Sequence, residues 1–327
     1  MDVITENSAS MEVLEGKKLV VIGYGNQGRP QALNLRDSGL DVSVAVRAGG
    51  TSWKKAKEDG FDVVDVEEGV EIADIILMLI PDDVQKEVFE KKVNGRLKDG
   101  AAICFAHGFS VAFGGITSRQ YDLLLVAPKG QGMGLRKLYL EGSGLPCLLA
   151  VENDYSGDAW EIAVAIASGL GCLRVGGYKT TFREETISDL FGEQAILCGG
   201  VPALIKMAFD ILVERGYSPE VAYFECLHEL KIIVDIFTMR GFSGMRDVIS
   251  GTAAFGSLAF GERVLGDSVI NSMKSLLERI ESGRFAEEFL EDAGSGFRRL
   301  ESLKEAERKL LIERVGKGIR KRIYSDD

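Results

Sequence analysis

Two pairs of acids stand at helical spacing in the second half of this chain. Asp189 and Glu193 lie in the stretch Thr180–Gln194, and Glu225 and Glu229 lie in Tyr223–Lys231. Residues four apart on a helix sit one above the other, roughly 5–6 Å apart at Cβ. Each pair therefore repels unless solvent screens it or a cation neutralises it. A solvated face is the ordinary outcome for one such pair. Here the flanks are apolar or small: Leu190, Phe191, Ala195 and Ile196 beside the first, Tyr223, Phe224, Leu227 and Leu230 beside the second. No Lys or Arg stands between the acids of either pair. Four carboxylates without a thiolate or imidazole cluster suit a hard, oxygen-preferring ion such as Mg²⁺. Four negative charges balance two divalent ions.

A second chemical motif lies near the N-terminus. Gly23-Tyr24-Gly25-Asn26-Gln27-Gly28 follows the apolar run Lys17–Ile22 and precedes a helical pattern, Gln31–Ser38. In a βαβ unit the first glycine permits a tight turn. The second lets a pyrophosphate approach the backbone, and the third lets helix and strand pack closely. The helix N-terminus then offers unpaired N–H groups to phosphate. The next strand ends at Arg47 rather than at an acid. Arg47, followed by Ala48-Gly49-Gly50-Thr51-Ser52, suits the 2′-phosphate of NADP better than the ribose hydroxyls of NAD. Gly23, Tyr24, Gly25, Gln27, Gly28, Arg47 and Ser52 form the expected cofactor set. The plainer alternatives are a glycine-rich turn without ligand and a surface arginine.

Alternating elements carry these residues. Apolar strands are expected at Lys17–Ile22, Asp41–Val46, Ile72–Ile80, Ala101–Ala106, Leu123–Ala127, Pro146–Val151 and Leu173–Val175, with helices at Val84–Val93 and Ser156–Gly169. Ligands of open α/β sheets bind beyond the carboxyl ends of the strands. His107 and Lys129 follow two of those ends, each beside glycine. From Phe182 the period changes. Glu185–Cys198, Pro202–Arg215, Pro219–Arg240, Val269–Ser282, Phe285–Asp292 and Leu300–Ile323 have helical periodicity. The fold class expected is α/β then all-α: a Rossmann-type dinucleotide-binding domain over 1–181 and a helical domain over 182–327. The helices are apolar over much of their surface and need a large partner surface.

The 327 residues, 46% of them hydrophobic, suffice for two cores, and the net charge of −11 disfavours nucleic acid and anionic membranes. The tail from Arg298 to Arg322 interleaves Glu with Lys and Arg, as a solvated helix does. Met1–Ser10 lacks a signal or transit pattern, and no uninterrupted apolar run reaches membrane-span length. Five scattered cysteines without a C-x-x-C motif imply buried, reduced thiols in a cytoplasmic protein.

Together these residues resemble the short, class I form of ketol-acid reductoisomerase, from about Leu14 to about Phe289. Phe105-Ala106-His107-Gly108-Phe109, Ala127-Pro128-Lys129-Gly130, Thr180–Gln194 and Pro219–Asp235 carry the likeness. The resemblance implies NADPH, two Mg²⁺ ions and a homodimer with shared active sites, or a higher oligomer. The substrate it implies is a 2-hydroxy-3-oxo acid, 2-acetolactate or 2-aceto-2-hydroxybutyrate, isomerised by an alkyl shift and then reduced. It makes Asp189, Glu193, Glu225 and Glu229 metal ligands and His107, Lys129 and Glu229 catalytic. Ser250 matches a serine that touches substrate. The chain departs from the family's usual residues at Pro30, Gly50, Ser110–Ala112, Gln131, Gly251 and Ala254. Two other functions are compatible with the same features. One is an NADP-dependent β-hydroxy acid dehydrogenase, which would need no Mg²⁺. The other is a non-catalytic nucleotide-binding paralogue, which would have no use for the paired acids.

Overall fold

The computed structural model describes residues 3–324. Met1 and Asp2, the start of the polar N-terminal stretch, lie outside the described residues. Two compact units divide the chain between Ser188 and Asp189.

The first unit is built on nine strands: β1 (Val3–Ile4), β2 (Lys18–Ile22), β3 (Asp41–Ala45), β4 (Asp62–Val64), β5 (Ile75–Met78), β6 (Ala102–Phe105), β7 (Asp122–Pro128), β8 (Cys147–Asn153) and β9 (Gly177–Lys179). They form one sheet in the order β1-β9-β8-β7-β6-β5-β2-β3-β4. From β4 to β7 every pairing is parallel, and β8 joins β7 antiparallel. The near-continuous apolar runs follow from burial on both faces. Successive side chains point to opposite sides of a strand. Leu19, Val21, Ile75, Leu77, Leu124 and Val126 accordingly enter one core with Ala163 and Ile166 of the helix Ala159–Gly169. Val20, Ile22, Ile76, Met78, Leu123 and Leu125 enter the other with Val70, Phe89 and Phe182.

Several expected bounds change. The strand expected at Leu173–Val175 is a 3₁₀ turn, Cys172–Arg174, entered through Gly171 at φ 81°. The strand itself begins after Gly176. The helix expected at Val84–Val93 is an α-helix, Asp82–Val88, followed by a π turn, Phe89–Val93. Cys104, Cys147 and Cys172 are buried as expected, but Cys198 is exposed and Cys226 half-buried. Burial pushes the Cys104 thiol up to about 12.

The second unit is helical. Helix Phe182–Gly192 continues through a π turn, Glu193–Leu197, and Gly200–Glu214 follows. The single helix expected over Pro219–Arg240 is instead Pro219–Tyr223, a π turn over Phe224–His228, and Leu230–Arg246 bent at Gly241 (φ 72°). A helix not foreseen, Gly251–Val264, follows. The expected Leu300–Ile323 helix is two, Arg298–Arg308 and Leu311–Ile323. The second of these is no solvated tail: Ile312 and Ile319 are buried with Phe209, Ala222 and Tyr223. The helical stretch Phe182–Glu214 contains an 18-residue window of mean hydropathy 1.9, long and apolar enough to cross a membrane by length and composition. Charged residues such as Glu193 and Lys206 interrupt the apolar sequence, so no uninterrupted apolar run fills this stretch.

Candidate active site

The order of the parallel strands reverses between β2 and β5, the topological switch point at which open α/β sheets bind ligands. A crevice of about 520 Å³ opens there, lined by Gly23, Tyr24, Gly25, Arg47, Gly50, Thr51, Ser52, Ile80 and Val84 among others. The three glycines differ in the space around them. Gly23 has φ +100°, and an added Cβ would lie 2.5 Å from the Leu79 carbonyl oxygen. A Cβ on Gly28 would lie 2.1 Å from the Gly23 carbonyl oxygen. Nothing lies within 4 Å of a Cβ placed on Gly25, which is exposed. The first and third glycines are thus required by the turn, while the second keeps open the space a pyrophosphate would occupy. Gln27 does not line the crevice; its Nε2 donates to the Gly130 carbonyl at 3.3 Å. On the far side, Gly50 caps the N-terminus of helix Thr51–Glu58 without a side-chain hydrogen bond. That helix end and the exposed Arg47 together favour an anion.

At the ends of β6 and β7 the structure joins His107 and Lys129 through a residue that the sequence did not single out. Glu185, with 1% of its side chain exposed, accepts from Lys129 Nζ at 2.7 Å, from the Gly108 N–H at 2.9 Å and from His107 Nδ1 at 3.1 Å. Burial by itself would raise the Glu185 pKa. The His107 hydrogen bond and the charges of His107 and Lys129 outweigh it, and the carboxyl is held below its ordinary value. Gly108 leaves no room for a side chain: a Cβ there would lie 2.4 Å from Thr186 Oγ1 and 2.6 Å from the Phe182 carbonyl oxygen. A signal for Glu185 was present in the sequence, because the acids at 185, 189 and 193 form a stripe of period four.

Asp189 follows Glu185 by one turn of the same helix, and Glu193 opens the π turn, with its carbonyl accepting from Cys198 N at 2.7 Å. Glu225 lies inside the π turn Phe224–His228 and Glu229 directly after it, where its N–H donates to the Phe224 carbonyl at 3.2 Å. π turns recur at functional sites. Glu225 and Glu229 are exposed, and no hydrogen bond or salt bridge of their side chains occurs among the described residues. The nearest cation in sequence, Lys231, is paired with Asp235. Among the described residues the second pair joins no cluster of three or more donor groups. Ser250 is the N-cap of helix Gly251–Val264: its Oγ accepts from Ala253 N at 3.2 Å.

Both halves of the chain are similar to known proteins. Residues 13–176 match the acetohydroxy acid isomeroreductase, NADPH-binding domain, and residues 182–324 match the ketol-acid reductoisomerase, C-terminal domain. Ketol-acid reductoisomerase (NADP(+)) of Methanocaldococcus jannaschii is 48% identical over 317 residues, 97% of this chain and 96% of that one. The protein of the same name from Pyrobaculum aerophilum is 48% identical over 323 residues, 98% of each. The solved structure of an NADH-preferring ketol-acid reductoisomerase from an uncultured archaean is similar over the whole of both chains, with TM-score 0.95 and 40% identity. A semialdehyde dehydrogenase NAD-binding protein from Cupriavidus necator shares the fold alone. It has TM-score 0.60 and 18% identity over 81% of this chain and 99% of that one. Both halves of the sequence are matched, and the chain belongs to the ketol-acid reductoisomerase family.

Proposed function

We propose that this chain, using NADPH and Mg²⁺, converts 2-acetolactate or 2-aceto-2-hydroxybutyrate to the 2,3-dihydroxy acid of valine and isoleucine biosynthesis. The observation that carries the reading is the buried Glu185, which fixes His107 and Lys129 at the strand ends where such sheets bind ligands. Lys129 thereby keeps its ammonium at a defined place, and the His107 ring is held by Nδ1. The open space at Gly25 and the anion-favouring end of helix Thr51–Glu58 fit a dinucleotide, with Arg47 and Ser52 on its 2′-phosphate. NADPH, when bound, supplies the hydride.

The uncompensated Glu225–Glu229 pair fits divalent cations. Asp189, Glu193, Glu225 and Glu229 would hold two Mg²⁺ ions, with Glu229 also handling a proton and Ser250 meeting the substrate. Bound Mg²⁺ supplies Lewis acidity for the alkyl shift. The functional division lies at 181/182, and each site is shared between two chains of a homodimer. The extent of exposed apolar surface in the second unit supports this, because patches of this kind mark interfaces. The apolar stretch Phe182–Glu214 is on this reading interface rather than membrane span, and the enzyme is cytoplasmic.

The test is Asp189→Asn. It should abolish turnover of 2-acetolactate while leaving NADPH binding within about twofold. Retained turnover would contradict the assignment.

A further inference from the structure

We propose that Asp59 is a positioning residue that sets cofactor preference, by tying the glycine loop to the helix that faces the 2′-phosphate. Asp59 ends the helix Thr51–Glu58, opposite the end that carries Gly50, Thr51 and Ser52. Its Oδ2 accepts from Tyr24 OH at 2.9 Å and from Arg29 Nε at 2.6 Å. Its Oδ1 accepts from Arg29 Nη2 at 2.9 Å, and its backbone carbonyl accepts from Arg36 Nη1 at 2.6 Å. Tyr24 belongs to the glycine loop, and Arg29 to the first turn of helix Gly28–Asp37. The Tyr24 ring meets the Phe61 ring edge-on at 5.7 Å, and the Arg36 guanidinium covers Phe61 at 4.5 Å.

One carboxylate therefore joins the C-terminal end of helix Thr51–Glu58 to the glycine loop and to the first turn of helix Gly28–Asp37. A bidentate arginine–carboxylate pair fixes angle as well as distance. The charges agree with this arrangement. The Arg29 guanidinium beside Asp59 holds its carboxyl below the usual range. Burial, with Asp59 beside it, pushes the Tyr24 phenol up, so Tyr24 is the donor. The helix is eight residues long, about 12 Å at 1.5 Å per residue. It acts as a short lever: an anchor at Asp59 fixes where Thr51 and Ser52 stand relative to Gly25. NADPH must reach both the loop and the lever, whereas NADH needs only the loop. The inference rests on the reading of Arg47 and Ser52 as the 2′-phosphate grip.

The experiment measures dissociation constants of NADPH and NADH, by quenching of protein fluorescence, for the full-length chain and for Asp59→Asn, Arg29→Gln and Arg47→Ala. Asp59→Asn should weaken NADPH about tenfold and NADH less than about twofold, a tenfold change being 1.4 kcal/mol. Arg29→Gln should shift the ratio the same way, and it serves as the reporter if Asp59→Asn does not fold. Equal weakening of both cofactors, or no weakening, overturns the inference. If Arg47→Ala leaves the NADPH/NADH ratio unchanged, the 2′-phosphate reading fails and the inference falls with it. If Arg47→Ala collapses the ratio while Asp59→Asn and Arg29→Gln do not, only the role of Asp59 is refuted.

Discussion

At the scale of the residue, Glu185 joins stability to chemistry. Its partners Lys129 and His107 keep 32% and 22% of their side chains exposed, so removing the carboxylate costs about 1–3 kcal/mol rather than the full penalty of a stranded buried charge. Glu185→Ala should lower the unfolding free energy by that order, read from the urea midpoint, and should release Lys129 and His107 together. Asp59 gives a pH dependence of definite sign. Its pKa is depressed in the folded chain, so its stabilisation is complete above the ordinary value of 3.8 and is lost as pH falls through the folded value. The stability gap between the native chain and Asp59→Asn should therefore be constant near neutrality and close below about pH 3.8, measured by denaturant unfolding across that range. His107, Lys129 and the glycine loop were legible in the sequence, because strand ends and glycine spacing announce them. Glu185, beyond its place in the acid stripe, and Asp59 were not. Their importance comes from partners 56 to 78 and 30 to 35 residues away, which no local pattern encodes.

At the scale of the element, the parallel sheet was legible because strands buried on both faces must be apolar throughout. The short strands β1, β4 and β9, of two or three residues, carry too little pattern to be seen. The helices were legible as periodicity, but the three π turns were not. A one-residue slip in hydrogen-bond register scarcely alters an apolar stripe. Two of these turns carry acids of the proposed metal set. The C-terminal helix Leu311–Ile323 read as polar, yet it packs on Tyr223, one residue before the third π turn. A Cβ on Gly316 would lie 2.6 Å from the Tyr223 ring, and Arg320 donates to Tyr223 OH at 3.3 Å. Gly316→Ala should overpack this contact and cost about 1–3 kcal/mol, seen as a lowered Tm.

At the scale of the whole molecule, the second unit exposes side chains that a finished monomer would cover: Met239 is 83% exposed, Phe242 72% and Phe255 70%. A two-fold interface uses one patch twice. If Asp189 of one chain works with Glu225 of the other, co-expressed Asp189→Ala and Glu225→Ala chains should form mixed dimers. One of the two sites in each dimer would then be intact. Purified mixed dimers should regain about half the native activity; inactive ones would mean that each site is built within one chain. Mg²⁺-dependent reductoisomerase activity is measured as NADPH oxidation with 2-acetolactate in metal-free buffer before and after addition of Mg²⁺. Oxidation is expected only after the ion is added, with the 2,3-dihydroxy acid as product. NADPH oxidation at the same rate without Mg²⁺, or no dihydroxy acid with it, would mean that this chain does not catalyse a Mg²⁺-dependent reductoisomerase reaction.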